Sequence, residues 1–177
     1  MQREILTPCN GLIVGMLVIE PPDKILLVRR KNFPFGFSPP AGHLKSGEEP
    51  EDGARREVEE KTGLEITNTK LIWFGRKESP CRRGMNHHNL YVFRTTEWKG
   101  KLALSQKETS IGSGWYDKVQ LEKLAQKSHG FSGKYQIPIR GINIVELSRK
   151  LSEDMVWINN PGLELVWVDI MSQLSMI

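Results

Sequence analysis

Two short segments hold the residues with the clearest capacity for chemistry. The first is Gly42-His-Leu-Lys-Ser-Gly-Glu48, and the second, seven residues later, is Arg56-Glu-Val-Glu-Glu-Lys-Thr-Gly-Leu64. On a helix, Glu57 and Glu60 are three residues apart and therefore project from one face. Two carboxylates on one face offer the hard oxygen ligands that Mg²⁺ or Mn²⁺ prefers, with water and substrate phosphates completing the shell. The spacing predicts a divalent-metal site that takes a phosphorylated ligand.

A helix over residues 50–62 must carry these carboxylates. Pro50 suits a first helical turn, acidic residues follow it, and Gly63 provides a stop signal. Ala54 and Val58 are four residues apart and are expected to fix one flank of this helix to a sheet. The two carboxylates would then be held rigidly.

The rest of the chain alternates between the sequence patterns of strands and those of helices. Two β-branched-rich runs, 12–19 and 25–28, are separated by Glu-Pro-Pro-Asp and predict a hairpin, and residues 33–40 are expected to be a loop. Further strands are expected at 66–75, 89–95 and 115–116, and helices at 118–127 and 142–151. Strands that alternate with helices indicate the α/β class.

The C-terminal part of the chain differs in pattern. Leu163, Val166, Trp167, Ile170 and Leu174 fall on one helical stripe, which predicts packing onto the main domain or, alternatively, a homodimer surface. We therefore expect one main domain over residues 1–128 and a helical C-terminal extension over 129–177 that packs on the same domain.

Composition narrows the class of protein. The chain has 177 residues, of which 38% are hydrophobic, with a net charge of +4 and only two cysteines, Cys9 and Cys81. Two cysteines exclude a disulfide scaffold and favour a reducing compartment. The longest apolar run, residues 12–19, is far shorter than the roughly 20 residues of a membrane helix. No secretory signal pattern is present, so we expect a cytoplasmic protein with no membrane partner.

Charge is segregated along the chain. Residues 48–61 carry a net charge of −4, whereas residues 70–101 carry +6 and the run Arg29-Arg30-Lys31 adds three positive charges. Segregation of this kind is useful when both signs must meet a ligand. A polyphosphate that arrives with a divalent cation would need both surfaces.

The two segments together resemble the Nudix box, Gly-x5-Glu-x7-Arg-Glu-U-x-Glu-Glu-x-Gly-U, in which U is a bulky aliphatic residue. Eight of its nine specified positions match. The preceding Phe-Ser-Pro-Pro-Ala-Gly at 37–42 also resembles the strand and loop that lead into the box, and the resemblance extends from residue 11 to about 128. It implies an α/β/α sandwich around a mixed β-sheet and metal-dependent hydrolysis of a nucleoside diphosphate linked to another moiety.

The resemblance also implies a role for each matching residue. Glu57 matches a metal ligand and the general base, Glu60 matches a second ligand, and Ala41 matches a position that offers its backbone carbonyl to the metal. Arg56 matches the residue that orients the catalytic glutamate. The remaining matches are structural: Glu48 holds the loop and helix together, and Gly42 and Gly63 form the turns on either side.

Lys61 departs from this pattern, because the family usually has a further metal-binding glutamate there. An ammonium group cannot ligate a cation, and at i+4 from Glu57 it can pair with that carboxylate and compete for it. Alternatively, Lys61 contacts substrate phosphate and replaces the charge of one metal ion. Both readings stay open at the level of sequence.

Other candidates lie outside the box. Glu108 occupies a polar loop in which many family members supply an additional catalytic carboxylate. Arg29 and Arg76 are expected to bind substrate phosphate, as part of a basic group that also includes Lys77, Arg82 and Arg83. A zinc site is not favoured, because the adjacent His87 and His88 point to opposite faces of a strand and the cysteines lack paired spacing.

These features favour an enzyme that uses Mg²⁺ or Mn²⁺ to hydrolyse a small-molecule nucleotide. No P-loop or Rossmann glycine pattern is present, so phosphate must be handled by metal and basic residues. One alternative is a nucleotide-binding or regulatory module that lost turnover through Lys61. Another is a protein that binds capped RNA through the basic segment 70–101.

Overall fold

The computed structural model describes residues 8–107 and 109–177. The strands are β1 (Leu12–Glu20), β2 (Lys24–Arg30), β3 (Phe37–Ser38), β4 (Ala41–His43), β5 (Glu65–Ile66), β6 (Lys70–Glu78), β7 (His87–Thr95), β8 (Trp98–Lys99) and β9 (Thr109–Tyr116). The helices are α1 (Pro50–Thr62), α2 (Lys118–Tyr135), α3 (Asn143–Glu153), α4 (Met155–Asn159) and α5 (Leu165–Gln173). None of these helices is both long enough and apolar enough to cross a membrane.

The main sheet is mixed. Its strands follow the order β3-β2-β1-β7-β6, with β4 also paired to β1 and β9 to β2. β1 and β7 run parallel, with Ile13 opposite Leu90, whereas the other pairs are antiparallel. Ile19 faces Ile25 across the predicted hairpin. Together with the helices packed on the sheet, this confirms the predicted α/β class and the Nudix-like sandwich.

The central strand β1 is buried on both faces, so alternate side chains enter two different hydrophobic cores. Val14, Met16 and Val18 pack with Ala54 and Val58 of α1 on one side. On the other side the core of β1 side chains and the C-terminal helices contains Leu17, Ile19, Val166, Trp167 and Ile170. Helix α1 is therefore fixed to the sheet through the flank that its sequence predicts.

The C-terminal residues belong to the same hydrophobic core as the sheet. Leu163, Val166, Trp167 and Ile170 of the predicted stripe are all buried there, so this face is not available to a second copy of the chain. Helix α2 continues to Tyr135, and the expected boundary after residue 128 falls inside it.

Tertiary contacts hold the part of α2 that lies beyond the predicted end at residue 127. The Ser128 hydroxyl donates to the carbonyl oxygens of both Leu124 and Leu163, and the Phe131 ring packs edge-on against Trp157 of α4. Two strands also differ from expectation: residues 66–75 divide between β5 and β6, and β9 begins at Thr109 rather than 115, where its early residues pair with the end of β2.

The packing of Trp167 onto β1 depends on the absence of a side chain at Gly15. A Cβ atom at residue 15 would lie 2.4 Å from Cη2 of Trp167. We expect Gly15→Ala to lower the free energy of unfolding by about 1–3 kcal/mol, because an overpacked core must shift to accept the methyl group. Urea unfolding measures this change, and Trp167→Phe in the same chain should recover part of it.

Gly130→Ala is the matched control for this prediction. Gly130 lies on α2 with open space where its Cβ would be, so the substitution should be neutral or stabilising by up to about 1 kcal/mol. Equal destabilisation by both alanines, or strict additivity of Gly15→Ala and Trp167→Phe, would contradict the proposed contact.

Candidate active site

A cleft of about 860 Å³ opens between β4, α1, the end of β2 and the β6–β7 turn. Its acidic wall is formed by Glu57 and Glu60 of α1. Eight lysine and arginine residues also line it: Arg30, Lys31, Lys45, Arg56, Lys61, Arg82, Arg83 and Lys107. The cleft therefore places the acidic and basic segments of the sequence opposite each other.

The Arg56 guanidinium organises the acidic wall. Its Nε and Nη2 donate to the two carboxylate oxygens of Glu48 at 2.7 and 2.9 Å. Its Nη1 donates to Glu57 Oε1 at 2.7 Å and to Glu60 Oε2 at 3.1 Å. Nη2 also donates to the carbonyl oxygen of His43 at 3.1 Å. One cation thus connects the loop, β4 and both carboxylates of the predicted metal site.

Glu48 closes the loop between β4 and α1. Its Oε2 accepts a hydrogen bond from the Lys45 backbone N–H at 2.8 Å, in addition to the bonds from Arg56. The Arg56 hydrogen bonds, which stabilise the ionised form, lower the pKa of Glu48 to about 2. The same carboxylate raises the pKa of Arg56 above its already high value. Both groups are therefore charged throughout the physiological pH range.

Glu57 is only 6% exposed and rests directly on β4. A Cβ atom at Gly42 would lie 2.2 Å from the Glu57 carboxylate, so any residue other than glycine would displace it. At the other end of α1, Gly63 adopts φ of 68°, and its N–H caps the helix by donating to the Glu59 carbonyl. Gly42 and Gly63 are thus each required to be glycine, but for different structural reasons.

The ion pair that the i, i+4 spacing predicts is present between Lys61 and Glu57. Lys61 Nζ lies 3.0 Å from Glu57 Oε2, on the opposite side of the carboxylate from Arg56. Glu60 is held more loosely, with Lys45 Nζ 3.4 Å from its Oε1. Each carboxylate of the acidic wall therefore already has two cationic neighbours within the described chain.

Hard oxygen donors remain the common property of this wall. Glu57, Glu60 and the residue Ala41 all line the cleft, and Gly42 leaves room for the Glu57 carboxylate beside β4. This donor set fits Mg²⁺ or Mn²⁺. A cation that binds there must share Glu57 with Lys61 or displace it.

The predicted phosphate-binding arginines do not reach this cleft. Arg29 Nη2 donates to the carbonyl oxygens of Ile158 and Asn159 at the end of α4, at 3.1 and 2.7 Å. Arg76 is exposed on β6 and is not among the residues that line the cleft. Glu108 lies outside the described residues.

Arg30 and Lys31, which follow Arg29 in the sequence, line the cleft instead. Arg30 pairs with the buried Glu164, with 3.4 Å between Nη1 and Oε2, and its Nε has no acceptor among the described residues. Lys31 follows it. The run Arg29-Arg30-Lys31 was a visible signal, but its spacing alone does not say which residue faces the cleft. Val28 and Arg30 both line the cleft, as residues two apart on one strand share a face, so Arg30 rather than Arg29 faces it.

A second group of side chains, also at the cleft, was missed by sequence reasoning. The structure brings together Cys9, His43, Cys81 and His88, of which His88 is buried and the other three are partly buried. Burial, aided by Arg83, lowers the pKa of His43 to about 4. Burial also lowers the pKa of His88 and raises that of the Cys9 thiol. His88 is grouped here with His43 and not with His87, its neighbour in the sequence.

Comparison with characterised proteins identifies relatives that align with up to 110 residues of this chain. The chain is 36% identical over 110 residues to the ADP-ribose pyrophosphatase of Methanocaldococcus jannaschii, which covers 61% of this chain and 63% of the relative. It is 44% identical over 62 residues to the human NAD-capped RNA hydrolase NUDT12, covering 34% of this chain and 13% of that protein. The chain thus spans under two thirds of the length of either relative.

Solved structures agree on the fold. A MutT NUDIX hydrolase from Burkholderia pseudomallei superposes with a TM-score of 0.55 at 20% identity, covering 65% of this chain and 87% of that one. The family model of the NUDIX domain matches residues 10–135, which include the whole cleft-forming sheet and α1. The chain therefore belongs to the NUDIX domain family.

Proposed function

We propose that this protein hydrolyses a pyrophosphate bond in a nucleoside diphosphate linked to another moiety, with Mg²⁺ or Mn²⁺ as cofactor. The observation that carries this proposal is the pair Glu57 and Glu60 on one wall of a cleft that also contains eight lysine and arginine side chains. A pyrophosphate with its cation presents both signs of charge in the same way. The cleft volume of about 860 Å³ lies in the range of small-molecule sites.

Glu57, Glu60 and the Ala41 carbonyl would hold the metal. A bound divalent cation stabilises negative charge on the phosphoryl oxygens and lowers the pKa of a coordinated water. The chain itself contributes position: Arg56 fixes the Glu57 carboxylate by a 2.7 Å hydrogen bond, and Gly42 leaves the space that this carboxylate occupies. Positioning of this kind lowers the entropic part of the barrier.

The reaction adds water to one phosphorus atom and breaks the bond from that phosphorus to the bridging oxygen. A carboxylate accepts the proton of the attacking water, and Glu57 is our candidate for this base, with Glu108 as the second. The basic residues of the cleft bind the phosphate oxygens of substrate and product. Arg30 replaces Arg29 and Arg76 in this role, because it faces the cleft.

The candidate substrates are nucleotides that contain a pyrophosphate group. The printed activities of the relatives point to ADP-ribose, NAD-capped RNA and, for the Proteus vulgaris 8-oxo-dGTP diphosphatase, an oxidised nucleoside triphosphate. A panel of these three with Mg²⁺ or Mn²⁺, assayed for release of nucleotide or phosphate, tests the function. Turnover of none of them, together with tight nucleotide binding, would support a binding module instead.

The binding module is a second candidate because of one specific contact. Lys61 Nζ lies 3.0 Å from Glu57 Oε2. At the position of Lys61 the family usually has another carboxylate. If a cation cannot displace Lys61, the cleft retains its basic walls and binds nucleotide without hydrolysis.

Glu57→Gln tests the proposed catalytic carboxylate. The substitution removes a charge and hardly any volume, so the fold should persist while kcat/KM falls by about 10²-fold or more. Steady-state assays on the best substrate of the panel measure this loss. Glu59→Gln is the matched control, since Glu59 is exposed on the same helix and does not line the cleft. Activity of Glu57→Gln within about threefold of the unmodified chain would exclude the assigned role.

Lys61→Met and Lys61→Glu separate the two roles of Lys61. If the ammonium competes with the cation for Glu57, both variants should lower the Mg²⁺ concentration for half-maximal activity, by roughly three- to tenfold for Lys61→Met. Lys24→Met, a change on the β1–β2 hairpin away from the cleft, should leave it unchanged. A higher KM for substrate with unchanged metal dependence would instead show that Lys61 binds phosphate.

Arg30→Ala tests the revised assignment of the phosphate-binding residue. Loss of a charged hydrogen-bond donor in the cleft should raise KM by about tenfold or more. Arg76→Ala is the control, because Arg76 is exposed and outside the cleft. Circular dichroism must show that Arg30→Ala is folded, since it leaves Glu164 without its cation. Equal effects of the two alanines on KM would refute the assignment.

A further inference from the structure

We propose that Cys9, His43, Cys81 and His88 form a zinc site, separate from the carboxylate site of the cleft. One potential ligand atom from each residue lies within 4.8 Å of all the others. The side chains come from four segments: the stretch before β1, the end of β4, the β6–β7 turn and the start of β7. This inference does not depend on the proposed hydrolytic function.

The chemistry of the four donors selects the metal. Thiolate and imidazole ligands suit Zn²⁺, whereas Mg²⁺ and Mn²⁺ prefer oxygen. Two thiolates would also balance the 2+ charge of the ion. A Cys₂His₂ set with four protein ligands and no open position is typical of structural rather than catalytic zinc.

The distances are close to those of a tetrahedral site. Zn–S bonds of about 2.3 Å and Zn–N bonds of about 2.0–2.1 Å place neighbouring ligand atoms roughly 3.3–3.8 Å apart. Cys9 Sγ already lies 3.2 Å from His88 Nε2. The rings of His43 and His88 are edge-on with centroids 5.4 Å apart, so both imidazoles border the same small volume. Modest side-chain adjustment would complete the tetrahedron.

An unsatisfied polar atom gives independent support. His43 Nε2 is buried with no hydrogen-bond partner among the described residues. An unpartnered buried nitrogen costs free energy, so such atoms are rare unless an ion or water completes them. A metal on His43 would supply the missing partner.

Backbone pairing holds the four segments in place. β1 runs beside both β4 and β7, with Ile13 opposite His43 and Leu12 opposite Asn89. The β6–β7 turn closes through a 2.9 Å bond from the Cys81 N–H to the Met85 carbonyl. The fold therefore brings these ligands together before any metal binds, which lowers the entropic cost of binding.

Zinc at this position would act on the neighbouring cleft. His43 directly follows Gly42, and its carbonyl accepts a hydrogen bond from Arg56. Cys81 directly precedes Arg82 and Arg83, which line the cleft. The metal would thus fix the basic β6–β7 turn and the segment before β1 to the strand that supports Glu57.

Metal analysis of the full chain tests the proposal. Protein purified with a thiol reductant, loaded with Zn²⁺ and desalted in excess Mg²⁺ should retain one zinc per chain. Replacement by Co²⁺ should give visible absorption bands of tetrahedral cobalt with thiolate ligands. Cys81→Ser and Cys9→Ser should each lose most of the zinc, whereas His87→Ala and Glu57→Gln should retain it. Glu57→Gln thereby separates this site from the carboxylate site.

A thiol measurement keeps the proposal falsifiable if a cysteine variant does not fold. In the zinc-loaded unmodified chain both thiols should resist a thiol reagent and become reactive when a strong chelator is added. No retained zinc together with octahedral or absent cobalt bands would overturn the proposal. So would a Cys9–Cys81 disulfide that forms in air, combined with no zinc uptake after reduction.

Discussion

The arrangement of the cleft depends on one partly buried cation, the guanidinium of Arg56. Three carboxylates converge on it, and without a positive charge between them their mutual repulsion would push α1 and the β4–α1 loop apart. Its planar fork of donors matches this task, since Glu48 is bound at two points. A lysine would supply the charge but not the geometry.

The rest of the structure makes this network rigid. Ala54 and Val58 are fully buried against β1, so α1 cannot rotate its carboxylates away from the cleft. Helix α5 packs Trp167 onto Gly15, and Glu164, which immediately precedes this helix, pairs with Arg30. The C-terminal part of the chain therefore contributes to the cleft directly, since Glu164, Val166 and Trp167 line it, and Glu164 also holds one of its basic residues.

Strand β4 connects two kinds of ligand chemistry within three residues. Ala41 and Gly42 border a wall of carboxylate oxygens, whereas the side chain of His43 lies with thiols and another imidazole. Hard cations and zinc prefer these two donor sets respectively, so both ions can be held side by side without competing for ligands. Lys61 lies beside the carboxylates of the acidic wall, and its ammonium group already neutralises part of the Glu57 charge.

The sequence by itself determined several features that depend on short-range spacing. The helix at 50–62, the common face of Glu57 and Glu60, the Lys61 pair and the hairpin all follow from contacts within a few residues or one turn. The α/β class follows from the alternation of periodicities. The contiguous motif made the family recognisable for the same reason.

Only the tertiary structure decided which distant residues meet. The face of β2 that carries Val28 borders the cleft, so Arg30 rather than Arg29 lines it. Contacts of Ser128 with Leu163 and of Phe131 with Trp157 hold the part of α2 that lies beyond its predicted end. The cluster of Cys9 with His88 exists because β1 and β7 run parallel, a pairing between residues that are far apart in sequence. Local spacing contains no information on such pairings, since they are fixed by how the sheet is ordered and how its faces are covered.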